Sequence, residues 1–564
     1  MLPTIDKRAK TELKGYSDIL KQLLFNRGIV EKEKAHKFLN PDISQIHSST
    51  LLSDINEAME KIKNVKESGG KIFVYGDYDV DGVMATSILW DFLYRKLHID
   101  TLPYIPSRFE EGYGLSRSGL DSILQNKGSL VITVDCGIRD IELVEEYTKK
   151  GLEFIITDHH TLVEDEDGDP VLSEDAVAVV HPKSPKSNYP FKEICGAAVA
   201  WKLIDAYSKK FEISQFDSYD YLDMVSIATI TDIMPLEDEN RAIVALGLKK
   251  IQNTQNLGLR TLMLSCGVDQ NAVDAYHYGF VLGPRINAAG RMEDAMDAVR
   301  LFSTEKLAAA TEFAEKLNSL NLKRQDLTKE IFEKAKLQAE KETDNNLIFV
   351  WGDKWPEGIV GLVAGKLQEE FYKPVLAASV DGEVAVGSAR SISGFNITDA
   401  ISRSAQILER FGGHAQAAGF TVRKENLENF KRNVIEYANE EISEENLVKT
   451  TIIDMELKLS DLTADLFEEI ETLKPFGLSN RTPSFLLDNL EVMKKFFLGR
   501  EKSHVKLLLK DQKGNQIDAL GFFMAQKFEF VNPGDRMRII GAIDKNEWNG
   551  QISIQIKIKE FELL

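Results

Sequence analysis

Lys71-Ile72-Phe73-Val74-Tyr75, followed by Gly76-Asp77-Tyr78-Asp79-Val80-Asp81-Gly82 and then a helical stretch from about Val83 to Leu97, decides the reading of this chain. A short β-branched and aromatic run predicts a strand, and the strand empties into a loop of three alternating carboxylates. The pattern D-x-D-x-D-G also opens an EF-hand loop. That loop needs Glu at its twelfth position, which here is Ile88, and a helix before it, where here a strand precedes. An Asx-rich turn would not need three acids so close together, because their mutual repulsion costs energy unless a cation offsets it. The loop reads as a cation site.

The pattern repeats downstream. Leu130-Val131-Ile132-Thr133-Val134 closes on Asp135, followed by Cys136 and Gly137, and Phe154-Ile155-Ile156-Thr157 closes on Asp158-His159-His160. A helix-like segment from Ile141 to Lys150 separates them. Strands alternating with helices predict βαβ units and a parallel sheet, in which ligands bind beyond the carboxyl ends of the strands. A lone Asp after a strand is usually a helix cap, and His-His alone is weak. Three strand ends that each close with metal-type ligands carry the weight. Asp232 follows an apolar stretch that begins near Met224, and alone it reads as a helix terminus. A shell of carboxylate and imidazole without thiolates suits Mn²⁺ or Mg²⁺, and imidazole tilts the choice toward Mn²⁺. Two such ions about 3.5–4 Å apart can bind the attacking and leaving oxygens of a phosphoryl displacement.

Composition sets the bounds. At 564 residues the chain predicts two to four domains, and 43% hydrophobic with 28% charged residues is ordinary for a globular protein. No apolar run reaches 18 residues, and the start, MLPTIDKRAKTELKG, has no apolar signal-peptide core. Cys136, Cys195 and Cys266 have no CxxC spacing, which excludes a disulfide framework and a thiolate metal site and predicts a cytoplasmic location. The net charge of −20 counts against nucleic-acid binding. A carboxylate cluster loaded with cations is nearly neutral, however, and local basic patches matter more than the total.

Further along, Ser303 to about Glu342 carries apolar residues at steps of three, four or seven. That predicts one long amphipathic helix or two in series, roughly 60 Å in extent, of the kind that links domains. A second α/β region runs from about Asn346 to Asn439, and a charged linker from about Glu440 to Glu445. Short alternating runs such as Val505–Leu509 and Gln551–Ile558 then predict a small β-barrel. There Phe476, Phe496, Phe497, Phe522 and Phe523 lie near Lys494, Lys495, Arg500, His504 and Lys506. Aromatic platforms beside cations suit single-stranded nucleic acid, although most of these Phe residues read as core and the basic run reads equally as a solvated face.

Taken together, DYDVDG, VDCG, DHH, GPRINAAGRM and GGHAQAAG resemble the DHH phosphoesterase superfamily and, within it, the bacterial single-strand-specific exonucleases, from about residue 46 to the end. The resemblance implies an α/β architecture: a parallel-sheet DHH catalytic domain (46–302) behind an N-terminal helical segment (1–45), a connecting helix (303–342), an α/β DHHA1 domain (343–440) and a β-barrel OB-fold (450–564). It implies that Asp79 and Asp135 hold one ion, that Asp81, Asp135, His159 and Asp232 hold the other, and that Asp77 and His160 sit beside the pair as a further ligand, proton carrier or phosphate contact. Gly283-Pro284-Arg285-Ile286-Asn287 resembles the family's phosphate-binding segment, and Arg108 an arginine near the substrate 5′ end. Ser388, Arg390, Gly412, Gly413 and His414 would face the same cleft from the second domain. Gly-rich turns and arginine forks suit phosphate, whereas each segment taken singly reads as an ordinary turn. Ser479-Asn480-Arg481 departs from the GNP of many relatives, and Trp355-Pro356-Glu357-Gly358 lacks a His often found there.

The implied function is 5′→3′ hydrolysis of single-stranded DNA to 5′-mononucleotides by two metal ions, in DNA repair and recombination. The implied protein is a monomer with no membrane attachment, partnered by a single-strand DNA-binding protein and a RecQ-type helicase. Two rivals are an enzyme for short oligonucleotides or cyclic dinucleotides and a non-enzymatic scaffold. The barrel region argues against the first, and the intact set of ligand residues against the second.

Overall fold

A computed structural model describes residues 7–213, 216–548 and 551–564. The first six residues, part of the start read above as lacking a signal-peptide core, lie outside the described residues.

The first domain is built on β1 (Ile72–Gly76), β2 (Thr101–Tyr104), β3 (Leu130–Val134), β4 (Glu153–Thr157) and β5 (Ala178–Val180), all parallel in the order β2-β1-β3-β4-β5. Both faces of this sheet are covered, so β1 and β3 are buried along their whole length, as parallel strands must be. The helix Val80–Trp90 packs on one side with Gly196–Lys210 and Leu222–Thr231. It ends in a π-helical turn, Asp91–Lys96, rather than running unbroken to Leu97.

The helix Leu307–Ala339 spans about 50 Å at 1.5 Å per residue. Ala310, Ala314 and Leu317 belong to the core of the first domain, whereas Ile331, Ala335 and Ala339 belong to a core with Phe349's neighbours Ile348 and Val350 in the second. The helix therefore joins the two domains by burying opposite ends of its apolar stripe in each. The second sheet runs β9-β10-β8-β7-β6, from β6 (Ile348–Asp353), β7 (Val375–Asp381), β8 (Val384–Arg390), β9 (Leu408–His414) and β10 (Ala417–Arg423). Only β6 and β7 pair in parallel.

The C-terminal strands β11 (Phe485–Leu498), β12 (His504–Lys510), β13 (Gln516–Gly521), β14 (Arg536–Trp548) and β15 (Gln551–Leu563) close into a five-stranded barrel through β11–β14 pairing. The N-terminal segment is not separate from it: Ala9, Leu13, Leu20, Leu23 and Leu24 share one core with barrel residues such as Phe485 and Leu507. Arg241 ties this unit to the first domain. Its guanidinium donates to the carbonyls of Phe38 (2.7 Å), Leu473 (3.0 Å), Lys474 (2.7 Å) and Pro475 (3.3 Å).

The expectation that most of the barrel phenylalanines are core is overturned. Phe496, Phe497, Phe522 and Phe523 are all exposed, Phe523 at 81%, and only Phe476 packs partly against the core. Phe496 and Phe497 lie at the outer, exposed end of β11, and Phe522 and Phe523 in the turn that follows β13, so all four carry apolar surface into solvent. The basic run is thinner than its sequence: Lys495 caps the carbonyls of Phe528, Glu529 and Val531, and Lys506 pairs with Asp518 at 2.8 Å.

Candidate metal centre and phosphate cleft

The strand order β2-β1-β3 reverses direction between β1 and β3, and in such sheets the crevice opens at that point. Register then aligns what emerges. Gly76 pairs with Val134, Val134 with Thr157, and Thr157 with Val180, so the next residues, Asp77, Asp135, Asp158 and His181, form one row beyond the strand ends.

Each acid is fixed differently. Asp79 caps the helix Val80–Trp90, its Oδ1 accepting from the amides of Asp81 (2.8 Å) and Gly82 (3.2 Å). Asp81 accepts from the amides of Gly196 (2.6 Å) and Ala197 (2.7 Å), the first turn of the helix Gly196–Lys210. A Cβ at position 196 would stand 2.5 Å from that of Asp135, so glycine is required there. Asp135 itself sits at φ 61°, a left-handed conformation that a strained functional position tolerates. Asp232 ends the helix Leu222–Thr231.

These side chains converge. Asp77, Asp79 and Asp135 bring ligand atoms within 4.8 Å of one another; so do Asp81, His159 and Asp232, and so do Asp135, His159 and His160. His159 Nε2 lies 3.1 Å from Asp135 Oδ1, 3.5 Å from Asp232 Oδ2 and 3.7 Å from Asp81 Oδ2. Asp77 Oδ1, Asp135 Oδ1, His159 Nε2 and Asp232 Oδ2 are buried without a hydrogen-bond partner. Buried polar atoms are normally paired, and four orphans at one spot fit the ligand set of a hard divalent cation.

The electrostatics agree. Burial first, then the neighbouring carboxylates, pushes Asp77, Asp135 and Asp232 well above the usual carboxylate range. Burial pushes His159 down to about 4, so it stays neutral, the form that binds metal. Burial also opposes charge on Asp158 and His160. Their mutual hydrogen bond of 2.8 Å outweighs it, holding Asp158 well below its ordinary value and His160 above its own.

Sequence reasoning missed two supports. Asp158 was read only as part of the DHH run, yet its Oδ1 also accepts the amides of His159 (2.7 Å) and His160 (3.1 Å), and its Oδ2 that of Ile138 (3.1 Å). His181 follows β5 in the same row. Its Nδ1 accepts from the Lys183 amide at 3.0 Å, which leaves Nε2 to donate to the His160 carbonyl at 3.0 Å. An apolar run ending in His was the available signal.

Beside the acids, a cavity of about 940 Å³ opens between the first domain, the connecting helix, the second domain and the barrel; Asn287, Arg291, Arg324 and Leu362 line it. Arg108 lies over the Tyr78 ring at 5.1 Å. Arg390 donates to Ser388 Oγ at 3.1 Å, and burial followed by the charge of Arg108 lowers its pKa, so the two arginines sense each other across the domains. Cross-strand register sets Gly412 opposite Gly419 and Gly419 opposite Ser388, and sets both His414 and Arg390 opposite Ala417. Gly412, Gly413 and His414 are exposed on the edge strand β9.

The segment from Gly283 differs from a Gly-rich turn. It is a helix, Gly283–Met292, continuous with a π-helical turn, His277–Leu282. Arg285 is engaged by Asn318 Oδ1 (2.8 Å) and the Val281 carbonyl (2.7 Å) and is not among the residues lining the cavity. A helix turns a residue two places from Asn287 to a different face, so Asn287 lines the cavity and Arg285 does not.

Among the described residues no helix is long and apolar enough to cross a membrane. The chain matches the DHH family N-terminal domain at residues 71–229, the DHHA1 domain at 344–440 and the RecJ OB domain at 453–560. It is 37% identical to the single-stranded-DNA-specific exonuclease RecJ of Bacillus subtilis over 99% of this chain and 70% of that one. Its fold is similar to RecJ of Thermus thermophilus in complex with Mn²⁺, with a TM-score of 0.83 and 28% identity over 100% of this chain and 78% of that one. The Mg²⁺ complex of the same protein gives a TM-score of 0.78 at 27% identity, over 99% and 77% of the two chains. With the parallel sheet, the second α/β domain and the closed barrel in the same order, the chain belongs to the family of RecJ single-stranded-DNA-specific exonucleases.

Proposed function

We propose that this protein is a metal-dependent exonuclease that degrades single-stranded DNA from its 5′ end to 5′-mononucleotides, using two Mn²⁺ or Mg²⁺ ions. The observation that carries the reading is the convergence of four buried, partnerless ligand atoms at the crevice of the first sheet. Asp79 and Asp135 would hold one ion and Asp81, Asp135, His159 and Asp232 the other. Bound there, such ions polarise phosphate oxygens and supply hydroxide near neutral pH. The residues of the chain do the rest. Asp158 orients His160 and stabilises its charge, and His160 can hold a proton for the leaving oxygen. Asp77, deprived of solvent, is the adjoining proton carrier or further ligand.

A 5′-phosphate is a dianion that suits an arginine fork with hydroxyl donors. Arg108, Ser388 and Arg390 supply that set, and their proximity across the two domains supports an end-reading pocket. Arg285 carries no role in this reading. Cations and exposed phenylalanines on the barrel support contact with the body of the strand. The resemblance further suggests a cytoplasmic monomer acting in repair and recombination beside a single-strand DNA-binding protein and a RecQ-type helicase.

Digestion of strands labelled at either end, with Mn²⁺, tests the reading. Early release of the 5′ label as mononucleotide on single strands, and little on duplex, is the expected result. Early release of the 3′ label would reverse the polarity, and equal cleavage of duplex would refute the substrate class.

A further inference from the structure

The connecting helix carries charge that the end pocket and metal cluster do not use. Arg324, at its middle, lines the central cavity with Arg291. Its Nε is buried and has no hydrogen-bond partner, and among the described residues no carboxylate pairs with either arginine. Arg291 donates from Nη1 to the Gly358 carbonyl at 3.2 Å.

Burial, followed by the charges of Arg108 and Arg324, pushes Arg291 down to about 10. Burial and Arg285 lower Arg324 in the same direction. Buried guanidinium charge that makes no ion pair is expensive in a folded protein unless an anion joins it, and the distant carboxylate of Asp79 offsets that of Arg291 only in part.

We propose that Arg324, with Arg291, forms a second phosphate site, which holds an internal phosphodiester of the bound strand on the cavity side of the metal cluster. The site rests on the nuclease reading above. It adjoins the 5′-end pocket, whose Arg108 and Arg390 both act on Arg291, and differs from it in that Arg324 comes from the connecting helix. The helix that links the domains is thereby part of the substrate path.

The ligand is a phosphate monoanion within a chain, so its signature is dependence on strand length. With 5′-phosphorylated substrates and Mn²⁺, Arg324→Ala should raise KM for an eight-nucleotide strand about tenfold, with kcat within twofold, while KM for a dinucleotide stays within twofold. The slope of log affinity against log salt for the longer strand should become shallower by about 0.7, the share of one phosphate on a single strand. An equal rise in KM for both lengths would assign Arg324 to the end pocket or to folding, and no rise for either would remove it from the path. Both overturn the proposal.

A neutral methylphosphonate walked along the wild-type octamer gives a second reading that does not depend on how the variant folds. One position should reproduce the loss, and at that position Arg324→Ala should add nothing. Additive losses at every position would contradict a direct contact. If inorganic phosphate inhibits dinucleotide cleavage and Arg324→Ala relieves the inhibition, the site takes free phosphate and the strand assignment falls. Release of the 3′ label first by the wild-type enzyme would refute the end reading while leaving the length test to stand or fall separately.

Discussion

Two clusters of unbalanced charge lie side by side in this molecule, and they are built in opposite ways. The carboxylates come from one domain, from strand ends and helix starts whose register aligns them, with ligand atoms within 4.8 Å. The guanidiniums of Arg108, Arg291, Arg324 and Arg390 come from two domains and the helix between; Arg291 and Arg324 line the cavity, and Arg108 and Arg390 lie near enough to Arg291 to lower it. Each moderates the other only in part: Asp79 raises Arg291 and Arg108 lowers Asp77, yet burial keeps Asp77 and Asp135 well above the usual carboxylate range and Arg291 below its own. Adjacent charges that decline to pair are each reserved for a ligand, cations for one and phosphates for the other.

The comparison is broken most severely at Asp135. Asp135→Ala should reduce hydrolysis by several orders of magnitude and leave strand binding largely intact; a variant retaining a tenth of wild-type turnover would dissolve the two-ion assignment. The same position should show the cost of the cluster. In chelator, Asp135→Asn should raise stability by on the order of 1–3 kcal/mol, because it removes a buried carboxylate repelled by its neighbours. Thermal unfolding reads this, and a lowered midpoint would mean that protein donors already satisfy Asp135.

On the arginine side, Arg390→Ala should narrow the preference for 5′-phosphorylated over 5′-hydroxyl ends by roughly tenfold, with Mn²⁺ affinity unchanged. An unaltered preference would take Arg390 out of the pocket. Farther from both clusters, Phe523→Ala should weaken binding of long strands several-fold, the lower end of a stacking contact, and leave short substrates alone. Fluorescence anisotropy with strands of two lengths distinguishes that from a general loss.

The smallest effect is on stability. Asp223 is buried, bonded to the Met224 amide and the Thr254 hydroxyl, and burial raises its carboxyl to about 6. Between the unfolded value near 3.9 and this folded value, the native state binds more protons. Stability from this group is therefore full at low pH and falls as pH rises toward 6. Asp223→Asn should flatten that part of the profile, and an unchanged slope would place the titration elsewhere.

How much of this was legible depends on sequence distance. Asp77–Asp81 and Asp158–His160 are local runs after readable strands, so chemistry and position were visible together. The long helix was readable from its apolar stripe, although its polar middle, Asn321 and Arg324, drew no notice because a lone arginine on a helix is ordinarily solvated. His181 was hidden because only strand register shows that it ends a row begun at Asp77. The union of the N-terminal helices with the barrel joins Leu23 to Phe485, and no local pattern records a contact across that separation. Deleting the barrel would therefore uncover the apolar face of the N-terminal helices. The barrel phenylalanines were misread because composition gives residue type but not facing, and facing is also what sets Arg285 against Asn318 and the Val281 carbonyl in this structure.

The central claim is that the carboxylate cluster binds two ions through a shared Asp135. Equilibrium dialysis against Mn²⁺, with electron paramagnetic resonance of the free ion, counts them directly. The account predicts two ions per chain for the wild type, loss of tight binding at both positions in Asp135→Asn, and two ions still bound in Arg390→Ala. Two ions held tightly by Asp135→Asn would contradict it.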